Sequence, residues 1–233
     1  MISKDRLFLI WQVLFSKALS KRASLFYLLK SRDKIFREIY RRNMWGDKSS
    51  VSGPGSNLKQ TEIIRKMLPV IIKELNFDSI LDIPCGDFYW MKLIDLDIAY
   101  IGGDIVAEII ENNEKQYSNH QRMFIKVDVV KDKLPKSDLL LCRDCLVHFS
   151  DQDVFKTIRN IKRAGIKFLL ATTFVSKNDN ANILTGSWRP INLQKPPFNF
   201  PDPIKMISEE CPIEKYRDKS LGLWKIEDLP SFG

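Results

Sequence analysis

Ser79-Ile80-Leu81-Asp82-Ile83-Pro84-Cys85-Gly86-Asp87-Phe88 is the stretch whose reading decides the fold. Its first half is a short apolar run with an acid near the end. Such a run, bounded by turn residues, reads as a buried β-strand. Pro84 removes a backbone donor and Gly86 opens left-handed backbone, so the strand stops in a tight turn. Phe88, Trp90, Met91 and Leu93 then have the spacing of a short helix. A strand, a glycine turn and a helix N-terminus together seat a nucleotide-like ligand. The pattern G-x-G-x-x-G is absent, so the reading rests on what surrounds the turn.

A second strand, Ala99 to Asp104, ends in an acid 22 residues after Asp82. That spacing suits an acid that accepts both ribose hydroxyls. A third strand, Met123 to Val127, runs into Asp128. A fourth, Asp138 to Cys142, runs into Arg143-Asp144, and a fifth covers Phe168 to Phe174. Helical patterns lie between them. Leu58 to Leu75 is a helix kinked by Pro69. Val106 to Tyr117 is another, and a third runs from an Asp151 N-cap to Lys162. Alternating strands and helices predict an α/β fold with a mostly parallel sheet. An acid after one strand is an ordinary turn residue; four in order line one edge of that sheet.

Asp82-x-x-Cys85-Gly86, Asp104, Asp128 and the run Cys145-Leu146-Val147-His148-Phe149-Ser150-Asp151 resemble class I S-adenosylmethionine-dependent methyltransferases, over about Leu58 to Asp228. The resemblance implies a Rossmann-like fold with a seven-stranded, mostly parallel sheet flanked by helices. It also implies S-adenosylmethionine as cofactor. Asp104 is then expected to hold the ribose hydroxyls with Ile105 against the adenine. Asp128 is expected to face the adenine amino group, with Val129 against the ring. Asp82 and Gly86, in the turn with Pro84 and Cys85, are expected at the methionine end, and Arg143 beside them. The family's first loop reads acid-x-G-x-G-x-G, and here Pro84 and Phe88 replace its outer glycines. That departure keeps open a second reading, a catalytically inactive cofactor-binding scaffold that recruits partners through a basic N-terminus. Ser52-Gly53-Pro54-Gly55-Ser56 together with Gly186-Ser187-Trp188-Arg189-Pro190 is similar to methyltransferases of bacterial surface-polysaccharide clusters. On that likeness the acceptor is a glycan or small-molecule hydroxyl.

Methyl transfer to a hydroxyl needs alignment of three atoms and removal of a proton. Asp144 and His148, four residues apart after the fourth strand, share a face if the segment is helical. The catalytic base is placed between these two, with Arg189 orienting the acceptor. His148 could equally pack under the cofactor, and Asp144 could pair with Arg143 or Arg189. The irregular stretch from 176 to 203 reads as the acceptor wall. Lys205 to Glu210 is expected as a short helix. Ile213 to Tyr216 and Leu221 to Ile226 are expected as a closing antiparallel hairpin. Pro196-Pro197-Phe198 lacks the preceding Asn or Asp of base-methylating enzymes and follows the wrong strand.

A chain of 233 residues holds one α/β core and an appendage. It has no G-x-S-x-G, no P-loop and two histidines. A nicotinamide-dependent dehydrogenase would want the missing glycine fingerprint. Cys142-x-x-Cys145 stands without a second pair or a histidine cluster, so no metal site is expected. Cys85, Cys142, Cys145 and Cys211 read as buried thiols in a reducing, cytoplasmic setting.

Residues 1–48 carry a net charge of +8 and the remainder is neutral. A neutral core excludes a grip on duplex nucleic acid. Residues 1–43 read as a basic helical extension. Leu7 to Phe15 is about half of a bilayer span, and no cleavage site follows it. The mixed apolar and basic pattern suits a helix packed on the core or on a partner. It also suits peripheral contact of residues 1–42 with the inner face of an anionic membrane. Residues 44–57 read as a lid loop that supplies Trp45 and Gly55 to the pocket. Residues 58–233 form the methyltransferase-like domain. The sequence carries no signal of oligomeric state.

Overall fold

The computed structural model describes residues 30–232. Leu7 to Phe15 and the rest of the extension up to residue 29 therefore lie outside the described residues. Seven strands form one sheet: β1 Ser79–Asp82, β2 Ala99–Asp104, β3 Arg122–Lys126, β4 Leu139–Cys142, β5 Phe168–Phe174, β6 Lys205–Ser208 and β7 Lys219–Lys225. Their order is β3-β2-β1-β4-β5-β7-β6. The first five are parallel, and β7 runs antiparallel to both β5 and β6. This is the expected Rossmann-like, mostly parallel seven-stranded sheet. The order reverses between β1 and β4, and parallel sheets bind ligands outside the carboxyl ends at such a switch point.

Helix α1 is Arg32–Arg41, α2 Glu62–Glu74, α3 Ala107–Tyr117 and α4 Asp151–Arg163. Alternate residues of the strands serve opposite faces of the sheet. Leu81, Leu140 and Leu169 pack with Val154, Ile158 and Ile161 of α4. Ile80, Leu139, Leu141 and Leu170 pack with Ile64, Leu68 and Ile71 of α2. Both faces are covered, which is why the strands read as continuous apolar runs. Among the described residues no helix is long and apolar enough to cross a membrane.

Four expectations are corrected. No helix follows β1. Phe88 sits in left-handed backbone (φ 57°) and buries its ring against Tyr100, Tyr117 and Phe124. Trp90 and Met91 are also buried, and only a single 3-10 turn forms at Met91–Leu93. The apolar residues after Gly86 thus fill the core directly instead of lining one helical face. Second, Lys205–Ser208 is a strand, with Ile207 buried and Met206 exposed in two-residue alternation. Third, the hairpin partner of β7 is therefore β6; Glu214–Tyr216 is a 3-10 turn and Ile213 is exposed. Fourth, the N-cap of α4 is Ser150, whose hydroxyl accepts from the Asp153 amide, and Asp151 is the first helical residue.

Candidate active site

A cleft opens at the carboxyl ends of β1, β2, β3 and β4. Asp82, Asp104, Asp128 and Asp144 all line it, together with the turn from Pro84 to Gly86. The turn is held by its neighbours. Ile83 donates its amide to the Leu141 carbonyl and Cys85 to the Gly103 carbonyl. Asn113 of α3 donates to the Gly86 carbonyl at 2.7 Å. Gly86 has φ 53°, and a Cβ there would lie 2.1 Å from the Ser52 hydroxyl. A side chain at this position would push the lid away.

The two innermost acids are strongly perturbed. Asp104 is 5% exposed, and burial pushes its carboxyl up to about 6, although Val106, Gly86 and Ile105 amides oppose the shift. The Val106 amide lies 2.9 Å from Oδ1 and the Gly86 amide 3.3 Å from Oδ2. Asp82 is raised to about 7 by burial, against the Tyr100 hydroxyl, which donates to it at 2.6 Å, and the charge of Arg143. Two buried carboxylates with few cations nearby suit a ligand that brings hydroxyls and a positive charge. The flanking walls are apolar: Phe36, Ile105, Val106, Val129 and Phe149.

The lid is fastened to the β1 turn by Asp87. Its carboxylate accepts from Ser50 Oγ at 2.9 Å, the Val51 amide at 3.0 Å and Ser52 Oγ at 3.3 Å. Trp45 lines the cleft, its ring centroid 5.2 Å from that of His148 and tilted to it by 37°. Gly55 is not part of the lining. Its carbonyl accepts from Arg143 Nη2 at 2.8 Å, and a Cβ on it would meet Asp144 Oδ2 at 2.7 Å. Gly55 thus lets the lid backbone lie against β4; Ser56 lines the cleft in its place.

Asp144 takes a strained left-handed conformation (φ 51°) and belongs to a buried charge cluster. Lys219 Nζ lies 2.6 Å from Asp144 Oδ2 and 3.2 Å from Glu209 Oε2. Arg143 donates from Nε to Glu209 Oε1 at 2.7 Å and lies 3.3 Å from Asp144 Oδ2. Burial favours a protonated Asp144, but Lys219 and Arg143 override it and hold the carboxyl at about 2. A carboxylate so pinned is a weak proton acceptor.

His148 has the opposite character. Burial lowers its pKa, so the ring is neutral near pH 7. Nδ1 lies 2.8 Å from the Ser187 carbonyl, which can only accept, so the proton is on Nδ1 and Nε2 carries the lone pair. Asp144 and His148 are not on one helical face, because the segment between them makes only a 3-10 turn at Leu146–His148.

Arg189 does not reach the cleft. It is 4% exposed, donates to the Phe149 carbonyl and to Asp151 Oδ1 at 2.9 Å, and lies over the Phe198 ring. It anchors the 186–189 segment, and its expected place on the acceptor is corrected.

The sequence reading missed Phe36 and Tyr40 of α1, Val51 and Ser52 of the lid, and Trp90 and Phe149, all of which line the cleft. For α1 a signal existed: Ile35 and Ile39, four apart, are both buried, which turns the same helix so that Phe36 and Tyr40 meet the cleft. Arg32 pairs with Asp128 and Asp153, and Arg37 and Arg41 pair with Glu108. This part of the basic extension packs on the domain through both its apolar and its charged residues. Among the described residues no group of three or more His, Cys, Asp or Glu side chains could hold a metal ion.

No family model matches the sequence, and no curated protein matches it. Solved structures match it in fold. A Leishmania major S-adenosylmethionine-dependent methyltransferase aligns at TM-score 0.60 and 14% identity, covering 85% of this chain and 87% of that one. Human N-acetylserotonin methyltransferase, solved with S-adenosylmethionine, aligns at TM-score 0.59 and 14% identity, covering 94% of this chain and 66% of that one. The Pyrococcus horikoshii protein PH0226 aligns at TM-score 0.54 and 15% identity over 82% of this chain and 99% of its own. The chain spans just under two thirds of the human protein's length. At these identities the likeness is one of fold.

Proposed function

We propose that this chain, which has the class I S-adenosylmethionine-dependent methyltransferase fold, is an enzyme that transfers a methyl group from that cofactor to a hydroxyl of a glycan or small molecule. The observation that carries the reading is the convergence of Asp82, Gly86 and Asp104 on one cleft at the sheet's switch point. The donor set fits the cofactor. Asp104 offers a buried carboxylate to a diol, Asp82 offers one to an ammonium, and the apolar walls suit an adenine ring.

When bound, the cofactor supplies a methyl carbon made electrophilic by its sulfonium sulfur. The chain's own residues do the rest. Trp45 and the lid exclude water from the cleft. His148, neutral and with Nε2 free, takes the acceptor's proton, while the Ser187 carbonyl holds its ring and stabilises the cation that forms. Asp144, pinned by Lys219 and Arg143, is the weaker acceptor of that proton.

Trp188 supports a sugar acceptor. It follows the residue that holds His148, yet it is 41% exposed. Phe174 at 6.1 Å and Tyr216 at 5.0 Å hold its ring edge-on. An exposed indole held by two rings suits the apolar face of a sugar ring. The test is calorimetry with S-adenosylmethionine, then labelled methyl transfer to a panel of oligosaccharides, small alcohols, amines and carbon nucleophiles. Cofactor binding with transfer to a sugar hydroxyl is expected. Absence of cofactor binding overturns the enzyme reading. Binding with transfer only to nitrogen or carbon acceptors overturns the hydroxyl.

A further inference from the structure

The carboxylate of Asp128, just past the end of β3, is already engaged on both oxygens within the protein. Its Oδ1 accepts from the Val130 amide at 3.0 Å and from Arg32 Nε at 3.2 Å. Its Oδ2 accepts from Arg32 Nε at 3.1 Å and Arg32 Nη2 at 2.9 Å. These four contacts come from three N–H groups, the Arg32 Nε–H being shared between both oxygens, and the Arg32 fork takes the larger part of the carboxylate. An adenine amino group would have to compete there with the Arg32 fork.

Arg32 does not stop at Asp128. Its Nη1 donates at 3.0 Å to Asp153, in the first turn of α4, and Asp153 in turn accepts from Thr185 at 2.7 Å. One guanidinium therefore ties α1 to the end of β3 and to the start of α4. The rest of α1 follows this anchor. Ile35 and Ile39 are buried, and Phe36 meets Phe149 at 6.1 Å. The outcome is that Phe36 and Tyr40 of α1 line the same cleft as Asp128 and Val129.

We infer that Arg32 is a positioning residue of the cofactor site. Through Asp128 it seats α1 over the nucleotide end, and cofactor binding and α1 docking are one coupled equilibrium. Asp128 then serves the cofactor through Arg32 and not by touching the adenine amino group. Adenine is recognised by the apolar walls that α1 completes. This rests on the cofactor reading above.

The test uses the full chain, S-adenosylhomocysteine as the probe, calorimetry, and hydrogen exchange of residues 32–41. Arg32→Met and Asp128→Asn should each weaken binding about tenfold or more, within the range of coupling energies between sites. The double variant should be no worse than either alone, since both remove one linkage. The probe should raise protection of residues 32–41 in the natural chain and not in Arg32→Met. Arg32→Lys, which keeps the charge but not the fork, should fall between. If Asp128→Asn loses affinity while Arg32→Met keeps it, Asp128 reads the adenine directly and the inference is overturned. If the natural chain does not bind the probe, the cofactor reading fails instead. Ligand-free exchange of residues 32–41 still reports whether Arg32 docks α1, and unchanged protection in Arg32→Met overturns that.

Discussion

Replacing Asp104 by Asn should make the ligand-free protein more stable and the cofactor complex much weaker. Burial holds the Asp104 carboxyl at about 6. An unfolded chain holds it at about 3.9, and the difference corresponds to about 3 kcal/mol against the folded state near pH 7. The sign follows from proton binding. Between about pH 4 and 6 the folded protein keeps a proton that the unfolded chain has released, so stability falls as pH rises through that window. Asn carries no charge to desolvate and keeps an acceptor for the Val106 amide. It presents an amide to the Gly86 amide, which loses roughly 1 kcal/mol. The net gain is about 2 kcal/mol, or a melting temperature higher by about 4–8 °C for a chain of this size. That gain should vanish below about pH 4, where both states of the natural protein are protonated. Two charge-assisted bonds to a diol contribute about 1.5–3 kcal/mol each, and Asn replaces one of them weakly. Affinity for S-adenosylhomocysteine should therefore fall roughly 30- to 1000-fold. Differential scanning calorimetry across pH and isothermal titration read both effects. Affinity within about threefold of the natural chain would show that Asp104 does not hold the ribose. A lower melting temperature near neutral pH would refute the burial argument.

Other consequences follow from single contacts. His148→Gln should lower turnover by about 100-fold or more. It should also remove the acid limb of the pH–rate profile, which lies below the ordinary histidine value because burial disfavours the imidazolium; an unchanged limb would assign proton removal elsewhere. Gly86→Ala places a Cβ 2.1 Å from Ser52 Oγ and 3.1 Å from Ser52 Cβ, so proteolysis within residues 44–57 should quicken. Adding Ser52→Gly should restore protection, and failure to do so would place the clash elsewhere. Lys219→Met leaves Asp144 and Glu209 facing Arg143 alone, and should cost about 3–5 kcal/mol in denaturant unfolding. A cost below about 1 kcal/mol would mean that water or Arg143 repairs the cluster.

The chain's local patterns determined a great deal. The apolar runs of β1, β2, β4 and β5 ended where turn residues or acids stood, because a parallel strand buried on both faces must be apolar along its whole length. The acids of the strand ends were legible because each interrupts or closes an apolar run, although Asp82, Asp104 and Asp128 are themselves buried. Where a segment's partner lies far away in the chain, local pattern misled. Lys205–Ser208 is a strand because β7 offers an edge, and no helix follows Gly86 because the Phe88 ring fills a gap beside Tyr100 and Phe124. Chemistry at the site divided along the same line. That Asp144 and His148 stand after β4 is a matter of sequence. That Lys219 silences one, while the Ser187 carbonyl sets the tautomer of the other, is decided by contacts spanning tens of residues. Arg189 and Arg32 make the same point: both are arginines near a candidate site, and only the tertiary structure sends one into α4's first turn and the other onto Asp128. The physical reason is that strand and turn preferences are local energies, whereas a pKa or an acceptor's occupancy depends on burial and charge brought in by distant elements.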